Sequence, residues 1–316
     1  MRLLVTGGAG FIGSNFVQYM LEKHPDYEIV NLDALTYAGS LDNLNEVMDN
    51  PRHRFVQGRI EDGDLVDRLM PGIDVVVNFA AESHVDRSIV EPQVFIKTNV
   101  MGTQVLLDAA LRHKVKLFYQ ISTDEVYGAL RLDSKQRFNE ESQLRPNSPY
   151  SASKTAADLL VWSYHRTYGL PMVISRCSNN YGPRQHPEKF IPTVILNALH
   201  DKPVPIYGDG LYVRDWIHVL DHCQAIDLIM HKGRPGEVYN VGADNELANI
   251  DLARRILRIL DKPATLLTSV KDRPGHDRRY AIDSAKISRD LGWSPTMAYD
   301  AALAETIEYY AAHSSP

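Results

Sequence analysis

The residues best suited to acid–base chemistry lie in two short stretches near the middle of the chain. Thr123, Asp124 and Glu125 follow an apolar segment that predicts a buried strand, and Tyr150 and Lys154 are four residues apart on a predicted helix. Residues at this spacing share one face of a helix, and a nearby ammonium group favours the ionised form of a phenol. The pattern predicts Tyr150 as a base, Lys154 as its electrostatic partner and Thr123 as a hydrogen-bonding neighbour.

A glycine-rich turn near the N-terminus has the features of a dinucleotide site. The apolar segment 2–6 predicts a strand, and Gly7, Gly10 and Gly13 follow it at three-residue spacing before an apolar-periodic helix. Such glycines permit a tight turn that brings a pyrophosphate to the helix N-terminus. Asp33 ends the next predicted strand, where a carboxylate binds the ribose 2′-hydroxyl of NAD and repels the 2′-phosphate of NADP. The pattern predicts NAD; the alternative is a plain turn between a strand and a helix.

Asp124 and Glu125 are adjacent carboxyl groups, which simple alcohol oxidation does not need. Two close like charges push their pKa values apart, so one group can remain a protonated acid while the other is an ionised base. An acid and a base beside a hydride acceptor fit oxidation followed by elimination of water. The alternative is a surface turn with two solvated carboxylates.

The elements that position these residues predict an α/β fold with a Rossmann-type doubly wound parallel sheet and a smaller α/β C-terminal substrate-binding lobe. Strands and helices alternate through the first half of the chain, and the alternation becomes less regular after residue 180. We expect an NAD-binding domain over 1–178, with later segments around 208–232 returning to it, and a mainly substrate-binding domain over 179–316.

Composition limits the classes of partner. The formal net charge is −6 and no basic stretch stands out, which argues against a nucleic-acid partner. No apolar run approaches the ~20 residues that span a bilayer, and no signal-peptide pattern follows Met1. Cys177 and Cys223 lack the spacing of a disulfide or metal pair. We therefore expect a cytoplasmic protein with no membrane partner and no metal ion.

Cations and amides in the second half of the chain could hold a diphosphate, because arginine forks bind phosphate oxygens well. The candidates are Asn179, Asn180, Lys189, Arg214, Arg273 and Arg279. His84, in a polar loop of the first half, could contact a substrate. The alternatives are scattered surface cations and a loop histidine that bonds the backbone.

Ten stretches of the chain carry a family resemblance: 6–14, 35–39, 79–88, 122–128, 146–154, 176–183, 186–192, 207–216, 273–280 and 291–295. On these the sequence resembles the dTDP-glucose 4,6-dehydratase family, in the nucleotide-sugar branch of the extended short-chain dehydrogenases/reductases. The Thr-Asp-Glu at 123–125 is its most specific part, because related epimerases carry Thr or Ser with the Tyr/Lys pair but lack the acid pair. The chain departs from the family pattern at Arg59, Arg184 and Tyr212.

The resemblance implies an NAD-dependent lyase that forms dTDP-4-keto-6-deoxyglucose from dTDP-glucose for deoxysugar biosynthesis. Tyr150 with Lys154 would take the 4-hydroxyl proton as hydride leaves C4. Glu125 would then remove the C5 proton while Asp124 protonates the departing 6-hydroxyl. Hydride would return to C6, so a tightly bound NAD would be recycled in each turnover.

The resemblance also implies binding residues and a quaternary structure. The cofactor contacts would be Gly7, Gly10, Phe11, Ile12, Gly13, Asp33, Ile60, Asp62, Ala80, Tyr150 and Lys154. The contacts to the small-molecule nucleotide sugar would be His84, Thr123, Asn179, Asn180, Lys189, Arg214, Asn249, Arg273 and His276. The family is homodimeric through two helices per subunit, here the predicted helices 93–113 and 150–168.

Three alternative functions remain from the sequence. One is the same reaction on UDP- or CDP-glucose. Another is a nucleotide-sugar 4-epimerase or decarboxylase with the same Tyr150 and Lys154, which the acid pair Asp124 and Glu125 argues against. The third is a non-catalytic NAD-sensing module, which would be expected to have lost Tyr150 or Lys154.

Overall fold

Twelve strands and eleven α-helices organise residues 1–314, which the computed structural model describes. The strands are β1 (Arg2–Thr6), β2 (Glu28–Asp33), β3 (His53–Gln57), β4 (Val75–Asn78), β5 (Leu117–Thr123), β6 (Met172–Cys177), β7 (Asn179–Tyr181), β8 (Val204–Tyr207), β9 (Val213–His218), β10 (Glu237–Val241), β11 (Glu246–Ala248) and β12 (Leu267–Val270). The helices are α1 (Phe11–Lys23), α2 (Gly63–Leu69), α3 (Val85–Val90), α4 (Pro92–Phe95), α5 (Thr103–Arg112), α6 (Pro149–Tyr168), α7 (Phe190–Leu199), α8 (Val219–Lys232), α9 (Asn249–Ile259), α10 (Ala285–Leu291) and α11 (Tyr299–His313).

The large sheet has seven parallel strands in the order β3-β2-β1-β4-β5-β6-β10. Successive residues of a strand face opposite sides of a sheet, so a strand buried on both sides is apolar throughout. In β1, Leu3 and Val5 pack with α1 and α8, whereas Leu4 packs with α2 and α5. Helices therefore cover both faces, and the predicted α/β class with a doubly wound parallel sheet is confirmed.

The strand order reverses between β1 and β4, and open α/β sheets bind ligands in the crevice at such a point. β1 continues into the glycine turn, and the adjacent β4 and β5 continue into polar loops at the same edge. Because these strands are parallel neighbours, the three loops meet at the carboxyl ends of the strands.

The long helix predicted over 92–113 is interrupted. The helical segment from α4 to α5 contains a π-helical stretch, Ile96–Gly102, in which the turns are wider. Inside it, the Asn99 side chain accepts from Glu82 N (2.8 Å) and donates to Glu82 O (3.0 Å) and to Ser153 Oγ (2.8 Å). The wider turns thus hold the loop after β4 against α6.

Helix α6 begins at a defined cap. Ser148 and Ser151 form a reciprocal capping box, and Pro149 occupies the first turn, where its missing N–H is not needed. Gly169 ends the helix at φ +70°, in the left-handed conformation that glycine adopts without strain. The cap fixes where α6 begins, and the packing of its buried face, including Val161 and Tyr164, orients it on the sheet.

The second half of the chain forms two smaller sheets around a separate core. β7, β9 and β11 make a three-stranded sheet, β8 pairs with β12, and α7, α9 and α11 pack around them. The chain also returns to the large sheet, because α8 packs against α1 and β10 pairs with β6. Within residues 1–314, no helix is both long and apolar enough to span a bilayer.

Candidate active site

One cleft runs along the carboxyl ends of β1 to β6. Its walls include the glycine turn, the loops after β2, β3, β4 and β5, and residues 177–189 at the start of the second half. The predicted cofactor residues on the walls are Gly7, Gly10, Phe11, Ile12, Gly13, Asp33, Ile60, Ala80, Tyr150 and Lys154. Thr123, Asp124, Glu125, Asn179, Asn180 and Lys189 line the same cleft.

The glycine turn leaves no room for larger residues. Gly7 has φ +73°, and a Cβ atom at Gly13 would lie 2.2 Å from the carbonyl oxygen of Gly7. Gly10 precedes α1 without a side-chain cap, and Gly10 to Gly13, which form the start of the helix, line the cleft. Unsatisfied N–H groups at a helix N-terminus favour an anion. The turn is suited to the pyrophosphate of a dinucleotide.

Asp33 is buried at the end of β2 and is tied to the glycine turn. One carboxylate oxygen accepts from Ala9 N (2.9 Å) and the other from Leu35 N (2.8 Å). Burial raises the pKa of Asp33, and these backbone donors counteract the rise. Each oxygen keeps a lone pair for a ribose hydroxyl, while a 2′-phosphate would meet a carboxylate. The arrangement therefore fits NAD.

Tyr150 and Lys154 are both buried on α6 and face the cleft. The Lys154 Nζ donates to the carbonyl oxygen of Ile121 in β5 (2.7 Å), and burial lowers the pKa of Lys154. Burial raises the pKa of Tyr150 well above its ordinary value, with the charge of Glu125 as the next cause. The sequence predicted that the charge of Lys154 lowers the pKa of Tyr150. That prediction was wrong for the protein alone, because desolvation of the phenolate is the largest cause and Lys154 is not among the main causes.

Asp124 and Glu125 lie in a 3₁₀ turn directly after β5, and Thr123 Oγ1 accepts from the Glu125 N–H at its start (3.3 Å). Asp124 is only 2% exposed, and burial together with the charge of Glu125 raises its pKa well above the ordinary value. Burial also raises the pKa of Glu125, but Arg273 and Arg214 act against the rise. Asp124 is therefore the better proton donor and Glu125 the better base.

Three cations of the second half act on Glu125. Lys189 Nζ donates to Ser83 O (3.2 Å), and Arg214 is buried with its guanidinium 4.2 Å from the ring of Tyr280. Arg273 lies 3.6 Å from Asp86, and its buried Nε has no hydrogen-bond partner in the described part of the chain. These side chains place positive charge beside the acid pair, on the side away from the glycine turn.

Several predicted substrate residues lie beside the cleft rather than on its wall: His84, Arg214, Asn249, Arg273 and His276. His84 caps α3, and its Nδ1 accepts from the Arg87 N–H (3.3 Å). His276 stacks on Tyr212 with ring centres 3.6 Å apart, and its Nδ1 lies 2.7 Å from Oδ1 of Asp272, within hydrogen-bonding distance. Tyr212, one of the departures from the family pattern, therefore supports a predicted substrate residue.

Arg184, another departure, ties the second half to the first. Its guanidinium donates to Asn15 Oδ1 in α1 (3.0 Å) and to Glu46 Oε1 (2.9 Å). Asn15 in turn donates to the carbonyl oxygen of Pro183 (3.0 Å). The segment that carries Lys189 is thereby anchored to the helix that follows the glycine turn.

Several residues that line the cleft have no role predicted from the sequence, including Tyr37, Ser122, Cys177 and His186. Tyr37 stacks under the Arg87 guanidinium at 4.2 Å and meets the His186 ring edge-on at 5.7 Å. All four residues lie inside stretches that carried the resemblance, which was the only signal for them. No spacing marks them, because residues that are distant in the chain come together only in the fold.

A Tyr/Lys pair on one helix, beside a dinucleotide-type crevice, places the protein among the short-chain dehydrogenases/reductases. The model of the GDP-mannose 4,6 dehydratase family matches residues 4–306. The dTDP-glucose 4,6-dehydratase of Streptomyces antibioticus is 53% identical over 315 residues, covering 98% of this chain and 92% of that protein. The chain belongs to the nucleotide-sugar 4,6-dehydratase family that these matches define.

Two further similarities cover almost the whole chain. The low-salt glycan biosynthesis protein Agl12 of Haloferax volcanii is 53% identical over 310 residues, 98% of each chain. The crystal structure of DesIV, a dTDP-glucose 4,6-dehydratase of Streptomyces venezuelae with NAD and dTDP bound, has a TM-score of 0.96 and 49% identity. It covers 99% of this chain and 97% of its own. The protein is therefore an NAD-dependent enzyme of the hydro-lyase type.

Asp62, a predicted adenine contact, does not line the cleft and instead caps α2 by accepting from Leu65 N (3.0 Å). We predict that Asp62→Ala lowers the free energy of unfolding by about 1 kcal/mol, whereas Asp62→Asn, which can still cap, has little effect. Denaturant unfolding measures both. NAD affinity should be unchanged in the two variants; a tenfold loss in both would show that the Asp62 carboxylate contacts the cofactor.

Proposed function

We propose that the protein converts dTDP-glucose into dTDP-4-keto-6-deoxyglucose by oxidation at C4, elimination of water across C5 and C6, and hydride return to C6. The observation that carries this proposal is the pair formed by the buried Asp124 and the partly buried Glu125, which have unequal electrostatic surroundings next to Tyr150. A 4-epimerase needs the tyrosine but has no use for such a pair. The product is a deoxysugar nucleotide.

NAD⁺ would supply the hydride acceptor and then the donor, and its positive charge would lower the pKa of Tyr150. Tyr150 takes the proton of the 4-hydroxyl group. Lys154 uses its remaining N–H groups to hold the nicotinamide ribose and stabilise the phenolate. Once C4 is a ketone, the C5 proton becomes acidic and Glu125 removes it, while Asp124 gives its proton to the 6-hydroxyl group, which leaves as water.

The burial of the acid–base residues strengthens each of these interactions. Thr123, Tyr150, Lys154 and Asp124 are each at most 9% exposed. Charges interact more strongly where water is excluded, and fixed groups need no reorganisation during the reaction. The same burial would hinder release of the cofactor, in keeping with an NAD that stays bound and is recycled in each turnover.

We further propose that residues 1–178 hold NAD and that residues 179–316 mainly hold the nucleotide sugar. The side chains around Glu125 support this division, because Lys189, Arg214 and Arg273 all come from the second half. The buried Oδ1 atoms of Asn179 and Asn249 also lack hydrogen-bond partners among residues 1–314. Such atoms and cations suit the hydroxyl groups and diphosphate of a nucleotide sugar.

Turnover in D₂O tests the proposed reaction. We expect purified protein, given dTDP-glucose and no added cofactor, to form a product that has lost one water and gained a single deuterium at C5. This follows because Glu125 exchanges its proton with solvent while the hydride stays on the enzyme. Mass spectrometry and proton NMR measure both changes.

The other outcomes of this experiment separate the alternatives. A product of unchanged mass with inverted C4 would identify a 4-epimerase. Turnover only with UDP- or CDP-glucose would show that the reaction is the proposed one but that the substrate is a different nucleotide sugar. If the protein binds NAD but reacts with none of the three sugars, the result would favour a non-catalytic NAD-sensing module.

The acid pair is tested by Asp124→Asn with Glu125→Gln. The double variant should still oxidise the substrate at C4 but eliminate water ~10²–10⁴-fold more slowly, because neither the acid nor the base remains. The absorbance of reduced nicotinamide should therefore build up on the enzyme. Glu141→Gln, at an exposed glutamate, is the matched control. Normal dehydration by the double variant would show that Asp124 and Glu125 are not the acid and the base of the elimination.

We also propose that the protein is a homodimer formed through α6 and the helical segment 92–112. These segments pack side by side and carry exposed apolar residues: Val94, Ile96, Met101, Leu159 and Trp162, each between 38% and 56% exposed. Burial of large apolar side chains is the main driving force of stable association.

Both cysteines are buried free thiols, which is consistent with the proposed cytoplasmic location.

The dimer is tested by Leu159→Glu with Trp162→Glu, which places two charges on the proposed interface. Light scattering coupled to size-exclusion chromatography should show the mass of a dimer for the unmodified protein and of a monomer for this variant. Ile259→Glu, at an exposed apolar residue of α9, should remain dimeric. A monomeric unmodified protein, or a dimeric double variant, would contradict this interface.

A further inference from the structure

A cluster of two histidines and an aspartate joins α1 to α8, far from the cleft. His24 directly follows α1, at the opposite end of that helix from the glycine turn, and Asp227 and His231 lie one turn apart on α8. A helix of this length separates its two ends by about 20 Å. None of these side chains takes part in the reaction described above.

Three possible ligand atoms of this cluster converge. The Nε2 of His24 lies 2.9 Å from Oδ1 of Asp227, the Nδ1 of His231 lies 3.0 Å from the same oxygen, and all three atoms are within 4.8 Å of one another. Neighbouring ligands about 2.1 Å from one ion are roughly 3.0 Å apart at right angles and roughly 3.4 Å apart in a tetrahedron. The two nitrogen–oxygen distances, the first of which is also a hydrogen bond, are close to the lower of these separations, so small side-chain rotations would admit an ion.

The surrounding groups support the ligand atoms. Lys23 Nζ lies 2.9 Å from the other oxygen of Asp227, so Oδ1 alone is directed at the two imidazoles. The Tyr27 hydroxyl lies 2.6 Å from His231 Nε2, and a histidine ligand commonly bonds a second partner through its other nitrogen. The His24 ring also stacks on Tyr27, with ring centres 4.4 Å apart, which restricts its rotation.

We propose that His24, Asp227 and His231 bind a divalent transition-metal ion that cross-links α1 to α8. Imidazole and carboxylate donors favour Zn²⁺, Co²⁺, Ni²⁺ and Cu²⁺ over Mg²⁺ or Ca²⁺. The His24 and His231 side chains are 22% and 31% exposed, which leaves room for water as further ligands. Binding requires the His231 Nδ1 to lose its proton and leave the Asp227 carbonyl oxygen, which is 2.8 Å away.

Titration of tag-free, chelator-treated protein with Zn²⁺ tests the site. We expect one ion per chain by calorimetry and a higher Tm in excess Zn²⁺, because the ion binds only the folded arrangement. His24→Gln and His231→Ala should each weaken binding at least tenfold, as loss of one ligand does. His200→Ala, at an exposed histidine outside the cluster, should leave the affinity unchanged.

A measurement on the unmodified protein avoids any folding defect in the variants. Electron paramagnetic resonance of added Cu²⁺ should show two nitrogen ligands. Fewer than two, or Zn²⁺ affinity that survives in both histidine variants, would overturn the proposal and leave the cluster as an ion-pair contact only. Dehydratase activity should be the same with and without chelator, so this result is independent of the proposed function.

Discussion

The hydrogen bond from Lys154 to the carbonyl oxygen of Ile121 joins the two elements on which the chemistry depends. It fixes α6, which carries Tyr150, against β5, which leads directly into Asp124 and Glu125. The capping box fixes the start of α6, and the π-helical turn before α5 holds the neighbouring loop in place. Together with the apolar packing of α6 on β5, this contact keeps the base beside the acid pair.

Burial gives these groups their unequal properties. Desolvation favours the neutral forms of Asp124, Glu125 and Tyr150. Arg214 lowers the pKa of both carboxyl groups, whereas Arg273 and Lys189 are main causes that lower the pKa of Glu125 only. Two carboxyl groups that are adjacent in the chain thereby obtain different roles without any difference in their covalent chemistry. The second half of the chain supplies the cations, so the acid–base pair depends on both parts of the molecule.

Local patterns predicted much of the fold. The apolar runs of β1, β4 and β5 and the glycine turn have short-range signatures, and the structure confirms those strands. The sequence did not reveal the π-helical turn at 96–102, because its wider winding is stabilised by the contacts of Asn99 with Glu82 and Ser153. Nor could the spacing of residues along the sequence show that the Asp62 side chain caps α2.

The sequence by itself determined the residue types and the order of elements, because strand and helix periodicity and glycine turns depend on neighbours along the chain. Tertiary structure alone decided the direction of the pKa shift of Tyr150, since that depends on how completely the phenol is removed from water. It also brought His24 to Asp227, 203 residues away. Distances between such residues are set by the packing of α1 on α8, and no local pattern in the sequence records that packing.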